Sequence, residues 1–162
     1  MAIDLKRELS LIAAAFRQER IEYALCGGVA VGIHGYPRAT QDLDFLVREQ
    51  DLERIKAAMS EIGFTWWADV IPFDVGKETE RHVYRVSKAE GRATLTVDLI
   101  VVAPFLEDVW EDRETYRVGD REMQVVSLEG LKKMKRVAGP PQDLADLHNL
   151  ELTEENGSSR SE

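Results

Sequence analysis

The chain has 162 residues, 44% hydrophobic and 31% charged, with 21 basic against 30 acidic side chains and a formal charge of −9. That size favours one domain with its own core, here residues 1–150; no apolar run approaches the roughly 20 residues needed to span a bilayer, so no membrane contact is expected. The negative field opposes a long polyanion unless a basic patch overrides it, and Cys26 alone can form neither an internal disulfide nor a cysteine zinc cage, which fits a reducing cytoplasm.

From Asp4 to Arg20, residues Leu5, Leu9, Ile12, Ala13 and Phe16 recur at helical spacing and predict an amphipathic helix rather than a signal peptide. Glu22–Cys26 predicts a short strand that runs into Gly27-Gly28. A short helix of small residues follows, closed by Gly35 and the turn dipeptide Tyr36-Pro37. Gln41–Val47 predicts a second strand, and residues 49–63 a helix ending at Gly63. The middle is less regular, with strands expected around a loop in residues 64–76 and 82–88. Arg92–Val102, dense in β-branched residues, is the clearest strand. Pro104 opens a short helix with Trp110 on its apolar side, and Gly119-Asp120 joins two strands into a hairpin. Ser127 is placed to cap a helix over 128–139, and a final helix begins at the Pro140-Pro141 pair. Residues 151–162, with four Glu against one Arg and no periodicity, form an acidic tail expected to be disordered. The fold class expected from this order is α/β (α+β), a mixed sheet with flanking helices.

The chemistry concentrates between Cys26 and Val47. On a strand, alternate side chains share a face, so Asp42 and Asp44 point one way and Leu43 and Phe45 the other. A bare Asp-x-Asp reads most simply as two exposed acids at a strand end. Asp98, flanked by apolar residues on its own strand, changes the weighing, because an acid in such a place needs a partner. If the two strands are neighbours, three carboxylates converge. A divalent cation would relieve their repulsion, and hard oxygen ligands select Mg²⁺ or Mn²⁺. Gly27-Gly28 at a strand-to-helix junction either lets a phosphate approach the backbone or simply makes a tight turn. Arg38 could hold phosphate oxygens and Thr40 could position a metal ligand; a surface ion pair is the alternative for the arginine. Together these parts describe a phosphoryl-transfer site without the usual P-loop.

The Gly27-Gly28 pair, Asp42-Leu43-Asp44-Phe45 and Val97-Asp98-Leu99 resemble the DNA polymerase β-like nucleotidyltransferase superfamily. The fuller run from Gly27 to Val47 looks like its small bacterial branch containing abortive-infection type toxin nucleotidyltransferases. The segment Leu131–Leu150 is similar to the helical end of that branch. The resemblance implies a nucleotidyltransferase-like fold with a five-stranded mixed sheet core, two Mg²⁺ (or Mn²⁺) ions and an NTP donor. It implies Asp42, Asp44 and Asp98 as catalytic metal ligands, Gly27, Gly28, Arg38 and Thr40 at the nucleotide, and Lys132 or Lys135, with Lys135 ranked first, reaching its triphosphate or base. The acceptor could be a protein, an RNA 3′ end or a small molecule. An antitoxin-type protein partner would fit the toxin branch. The competing function is a non-catalytic binding module of the same fold, an antitoxin or regulator, which is expected to have lost at least one acid of the triad.

Other features read as structural. Lys132, Lys133, Lys135 and Arg136 diverge around their helix and are expected mostly to form a solvated face near a helix C-terminus. Asp143 and Asp146 are expected to partner Arg or Lys. His34 and His148 lack ligand-spaced partners. Trp66 and Trp67 point to opposite faces of a strand, so core packing is the expected use rather than a stacking platform. Cys26 is expected to pack as a small buried residue.

Overall fold

The computed structural model describes residues 3–35, 42–138 and 145–152. Helix α1 (Leu5–Gln18) starts at Asp4, whose carboxylate accepts the Arg7 amide at 3.2 Å. It is followed by β1 (Ala24–Cys26), α2 (Gly27–Ile33) and β2 (Asp42–Val47). A single 3₁₀ turn then leads into α3 (Leu52–Glu61). The irregular middle resolves into two short strands, β3 (Trp66–Trp67) and β4 (Ile71–Phe73), and a long hairpin of β5 (Arg81–Glu90) and β6 (Ala93–Val101). Pro104 opens a 3₁₀ turn that leads into α4 (Glu107–Glu111). The predicted hairpin forms as β7 (Glu114–Val118) and β8 (Arg121–Val125), and Ser127 Oγ accepts the Gly130 amide at 3.1 Å at the start of α5 (Leu128–Ala138). Residues 145–152 are helical.

All eight strands join one mixed sheet in the order β3-β5-β6-β2-β1-β8-β7, with β4 also on the outer edge of β5. This is three strands more than the five-stranded core implied by the resemblance. The additional pairing comes from the length of β5, whose free edge accepts β3 at one end and β4 at the other. The β2–β6 and β1–β8 pairs are parallel and the others antiparallel.

The two faces of the sheet differ in chemistry. On one, Phe45 and Tyr23 meet Phe16 of α1 with ring centroids 5.6–5.7 Å apart, and Leu43, Val97 and Leu99 are fully buried. Phe16, Phe45 and Phe64 are among the largest side chains with no exposure, so this face holds much of the core. One charged pair sits there: Lys88 Nζ donates to both Glu8 oxygens at 3.0 and 2.9 Å, and Glu8 is 3% exposed. The opposite face carries the acids.

Candidate active site

Register fixes which residues meet on that second face. In the parallel pair, Asp44 lies beside Asp98 and Asp42 beside Thr96. Neighbouring strands are about 4.8 Å apart, so carboxylates at one register on one face are close neighbours. Asp42, Asp44 and Asp98 all line one cavity of about 500 Å³, together with Cys26, Gly27 and Lys135. Its roof is Leu131, Met134 and Lys135 of α5 with Phe105 and Leu106, and its far wall is Phe73, Arg81 and Val83 of the β4–β5 edge.

Gly27 explains how Asp44 comes to lie at the mouth of α2. Its φ is +68°, and a Cβ placed there would lie 2.1 Å from Asp44 Oδ2. The left-handed backbone and the missing side chain are both needed for the carboxylate to pack against this turn. Gly28 is buried within α2 and does not line the cavity. Arg38 and Thr40 lie outside the described residues.

The sequence left one occupant of this face unread. Arg85 stands directly across from Asp98 in the β5–β6 hairpin, its Nε and Nη2 donating to the two carboxylate oxygens at 2.8 and 3.1 Å. This contact raises the guanidinium's pKa, first through the hydrogen bonds and charge of Asp98 and then through the charges of Asp42 and Asp44. The hairpin itself was the available signal. A two-residue turn at Gly91-Arg92 pairs Glu90 with Ala93, and counting back along both strands brings Arg85 to Asp98. Cys26, paired with Asp44 across β1–β2, is fully buried; burial and then the Asp44 charge push its thiol pKa well up.

Lys135 lines the cavity, but the solvated-face expectation fails for it and for Lys132, which are 6% and 5% exposed. Lys135 Nζ lies 3.1 Å from an oxygen of Asp146, itself fully buried, so the final helical segment supplies the partner that makes this burial tolerable. Lys133 is held by Asp108 at 2.8 Å, while Arg136 stays exposed. Asp146 takes the structural role expected of it; Asp143 lies outside the described residues. Trp67 packs against the core, whereas Trp66 is 64% exposed, so the core-packing expectation holds for one of the pair; neither lines the cavity. The His34 ring hydrogen-bonds the Val126 carbonyl at 2.8 Å.

The acids supply the hard oxygen donors that suit Mg²⁺ or Mn²⁺. Among the described residues, however, no three His, Cys, Asp or Glu side chains are gathered closely enough to hold a metal. Both Asp98 oxygens are engaged by Arg85, so the donor chemistry suits a divalent ion, and holding one would require Asp98 to leave that partner and the acids to draw together. No described helix is long and apolar enough to cross a membrane.

A family model described as an uncharacterised nucleotidyltransferase matches residues 2–131. No curated protein has a matching sequence. Among solved structures, a Thermotoga maritima protein assigned as a nucleotidyltransferase is similar at TM-score 0.63 and 15% identity, covering 88% of this chain and 89% of its own. The lincosamide antibiotic adenylyltransferase LnuA in its lincomycin-bound form is similar at 0.59 and 16%, over 90% and 95%. ANT(2″)-Ia in complex with adenylyl-2″-tobramycin is similar at 0.54 and 12%, over 97% and 98%. These likenesses establish the fold.

Proposed function

The chain belongs to a family of uncharacterised nucleotidyltransferases, and from that premise we propose that it transfers a nucleoside monophosphate from an NTP to an acceptor hydroxyl at the Asp42, Asp44 and Asp98 wall. The observation that carries this reading is the shared register of Asp44 and Asp98 on parallel strands of one cavity, beside Gly27. A new bond forms between the acceptor oxygen and the α-phosphorus, the α–β phosphoanhydride breaks, and pyrophosphate leaves with the bond's electrons.

Asp42, Asp44 and Asp98 would hold divalent ions, which when bound supply the positive charge that offsets the triphosphate. Asp98 stands on the β5 side of Asp44, away from Gly27, and takes the hydroxyl proton of an acceptor entering from that side. The phosphates would lie against the Gly27 backbone beside Asp44, and Arg38 and Thr40, outside the described residues, are the further phosphate ligands the sequence offers. Lys135 meets the nucleotide from the α5 roof, oriented by Asp146. A cavity of about 500 Å³ walled by Phe73, Val83, Ile100 and Phe105 suits a small acceptor better than a polymer. Antibiotics named in two structural neighbours support the same class. The negative net charge points the same way.

The test incubates the protein with each labelled NTP, Mg²⁺ or Mn²⁺, and separate pools of small hydroxyl compounds, RNA and protein. Metal-dependent label transfer and pyrophosphate release are expected, with Asp44→Asn lowering the rate by at least about a thousandfold. Transfer that survives Asp44→Asn would refute the assigned site, and absence of transfer to every pool would favour the non-catalytic binding module.

A further inference from the structure

We propose that Arg85 is the resident counter-cation of the carboxylate wall and competes with a divalent cation for Asp98. This rests on the nucleotidyltransferase reading of the same site but concerns a residue outside its acid triad. Four observations support it. Arg85 and Asp98 face each other across antiparallel strands and make a bidentate pair at 2.8 and 3.1 Å, which engages both oxygens that a metal would use. The two ends differ in burial. The Asp98 side chain is 16% exposed and needs a counter-charge, whereas the Arg85 side chain is 47% exposed and can turn into solvent without repacking.

The other cations of the cavity have different attachments: Arg81 donates to Asp74 at 3.0 Å and Lys135 lies 3.1 Å from Asp146. Arg85 donates to Asp98 of the triad itself. Finally, Asp98 lies beside Asp44 at one register of the parallel β2–β6 pair and lines the same cavity as Asp42 and Asp44, so the guanidinium stands on the wall that the whole triad occupies. The guanidinium therefore neutralises part of the charge that would draw a cation in. Removing it leaves three carboxylates on one wall with a stronger demand for a divalent ion.

The experiment measures Mn²⁺ binding to the full chain without nucleotide, by electron paramagnetic resonance of free Mn²⁺ and by calorimetry. It compares wild type, Arg85→Gln, Arg85→Lys and the Arg85→Gln/Asp98→Asn double variant. Arg85→Gln is expected to bind Mn²⁺ about tenfold more tightly, the low end for a charge-assisted pair with one half-exposed partner. Arg85→Lys, which keeps the charge but loses the fork, should gain less, and the double variant should lose the gain. If Arg85→Gln does not fold, as judged by thermal melting, Arg85→Lys carries the test with an expected few-fold gain. Unchanged or weaker Mn²⁺ affinity in the folded variant would overturn the proposal while wild-type transfer activity still upheld the enzyme reading. No Mn²⁺ binding to wild type or variant would overturn the proposal together with metal dependence.

Discussion

Replacing Gly27 by alanine tests whether this turn exists to seat Asp44. The new Cβ would meet Asp44 Oδ2 at 2.1 Å, Cγ at 2.6 Å and Cβ at 2.8 Å. Rotation about the Asp44 side chain can relieve the first two contacts, but the Cβ is fixed by β2, which pairs with β1 and β6 on its two edges. Relief therefore requires the strand or α2 to shift by roughly half an ångström, an overpacking cost of about 1–3 kcal/mol. The left-handed backbone adds about 1–2 kcal/mol. Gly119 is the matched control, with φ +67° and nothing within 4 Å of a built Cβ, so Gly119→Ala incurs the backbone cost alone. Urea unfolding should show Gly27→Ala destabilised by about 2–5 kcal/mol against about 1–2 for Gly119→Ala. The corresponding falls in melting temperature are roughly 10 °C and roughly 4 °C for a domain of this size. Because Asp44 is displaced, transfer by folded Gly27→Ala should also fall about a hundredfold, with Gly119→Ala unaffected. Equal stability of the two variants would refute the reasoning that Gly27 is required by the Asp44 contact.

Two further outcomes follow from buried ion pairs. Lys88→Met leaves the Glu8 carboxylate, 3% exposed, without its ammonium, and should cost about 3–5 kcal/mol in chemical denaturation. The double variant Glu8→Leu/Lys88→Met should recover most of that loss, and failure to recover would mean that the pair is not the source. Asp146→Asn deprives buried Lys135 of a charged partner and should destabilise by about 3 kcal/mol. It should also raise the KM for NTP more than it lowers kcat if Lys135 is a nucleotide ligand; an unchanged KM would restrict the pair to a structural role.

Much of this arrangement is legible from the sequence because local signals and tertiary demands agree. The period-two pattern around Asp42 and Asp44 identifies a strand with one apolar face, and Asp98 repeats that pattern. The structure sets Asp44 and Asp98 at one register of neighbouring parallel strands, with Asp42 two residues away on the same face. What escapes is pairing over distance. Arg85 falls within an expected strand, but its partner is set by the turn at Gly91-Arg92, which fixes the register with β6. Lys132 and Lys135 look like ordinary surface cations of a basic helix, because nothing near them in sequence announces that a later helical segment brings buried Asp146 over the latter. Trp66 and Trp67 show the limit of periodicity: alternation separates them correctly, yet which one turns inward depends on the edge of β5 that β3 joins.

The parallel pairing of β2 with β6 also bears on how the protein acquires its chemistry. Parallel neighbours cannot be joined by a tight turn, and here α3, β3, β4 and β5 intervene between them. The β5–β6 hairpin can form early from local contacts, bringing Arg85 to Asp98 before β2 arrives. Closing the longer loop between β2 and β6 is the slower event. In a chain that forms this hairpin first, Asp98 would meet its arginine while its fellow acids are still distant, and the complete wall exists only once the sheet has closed.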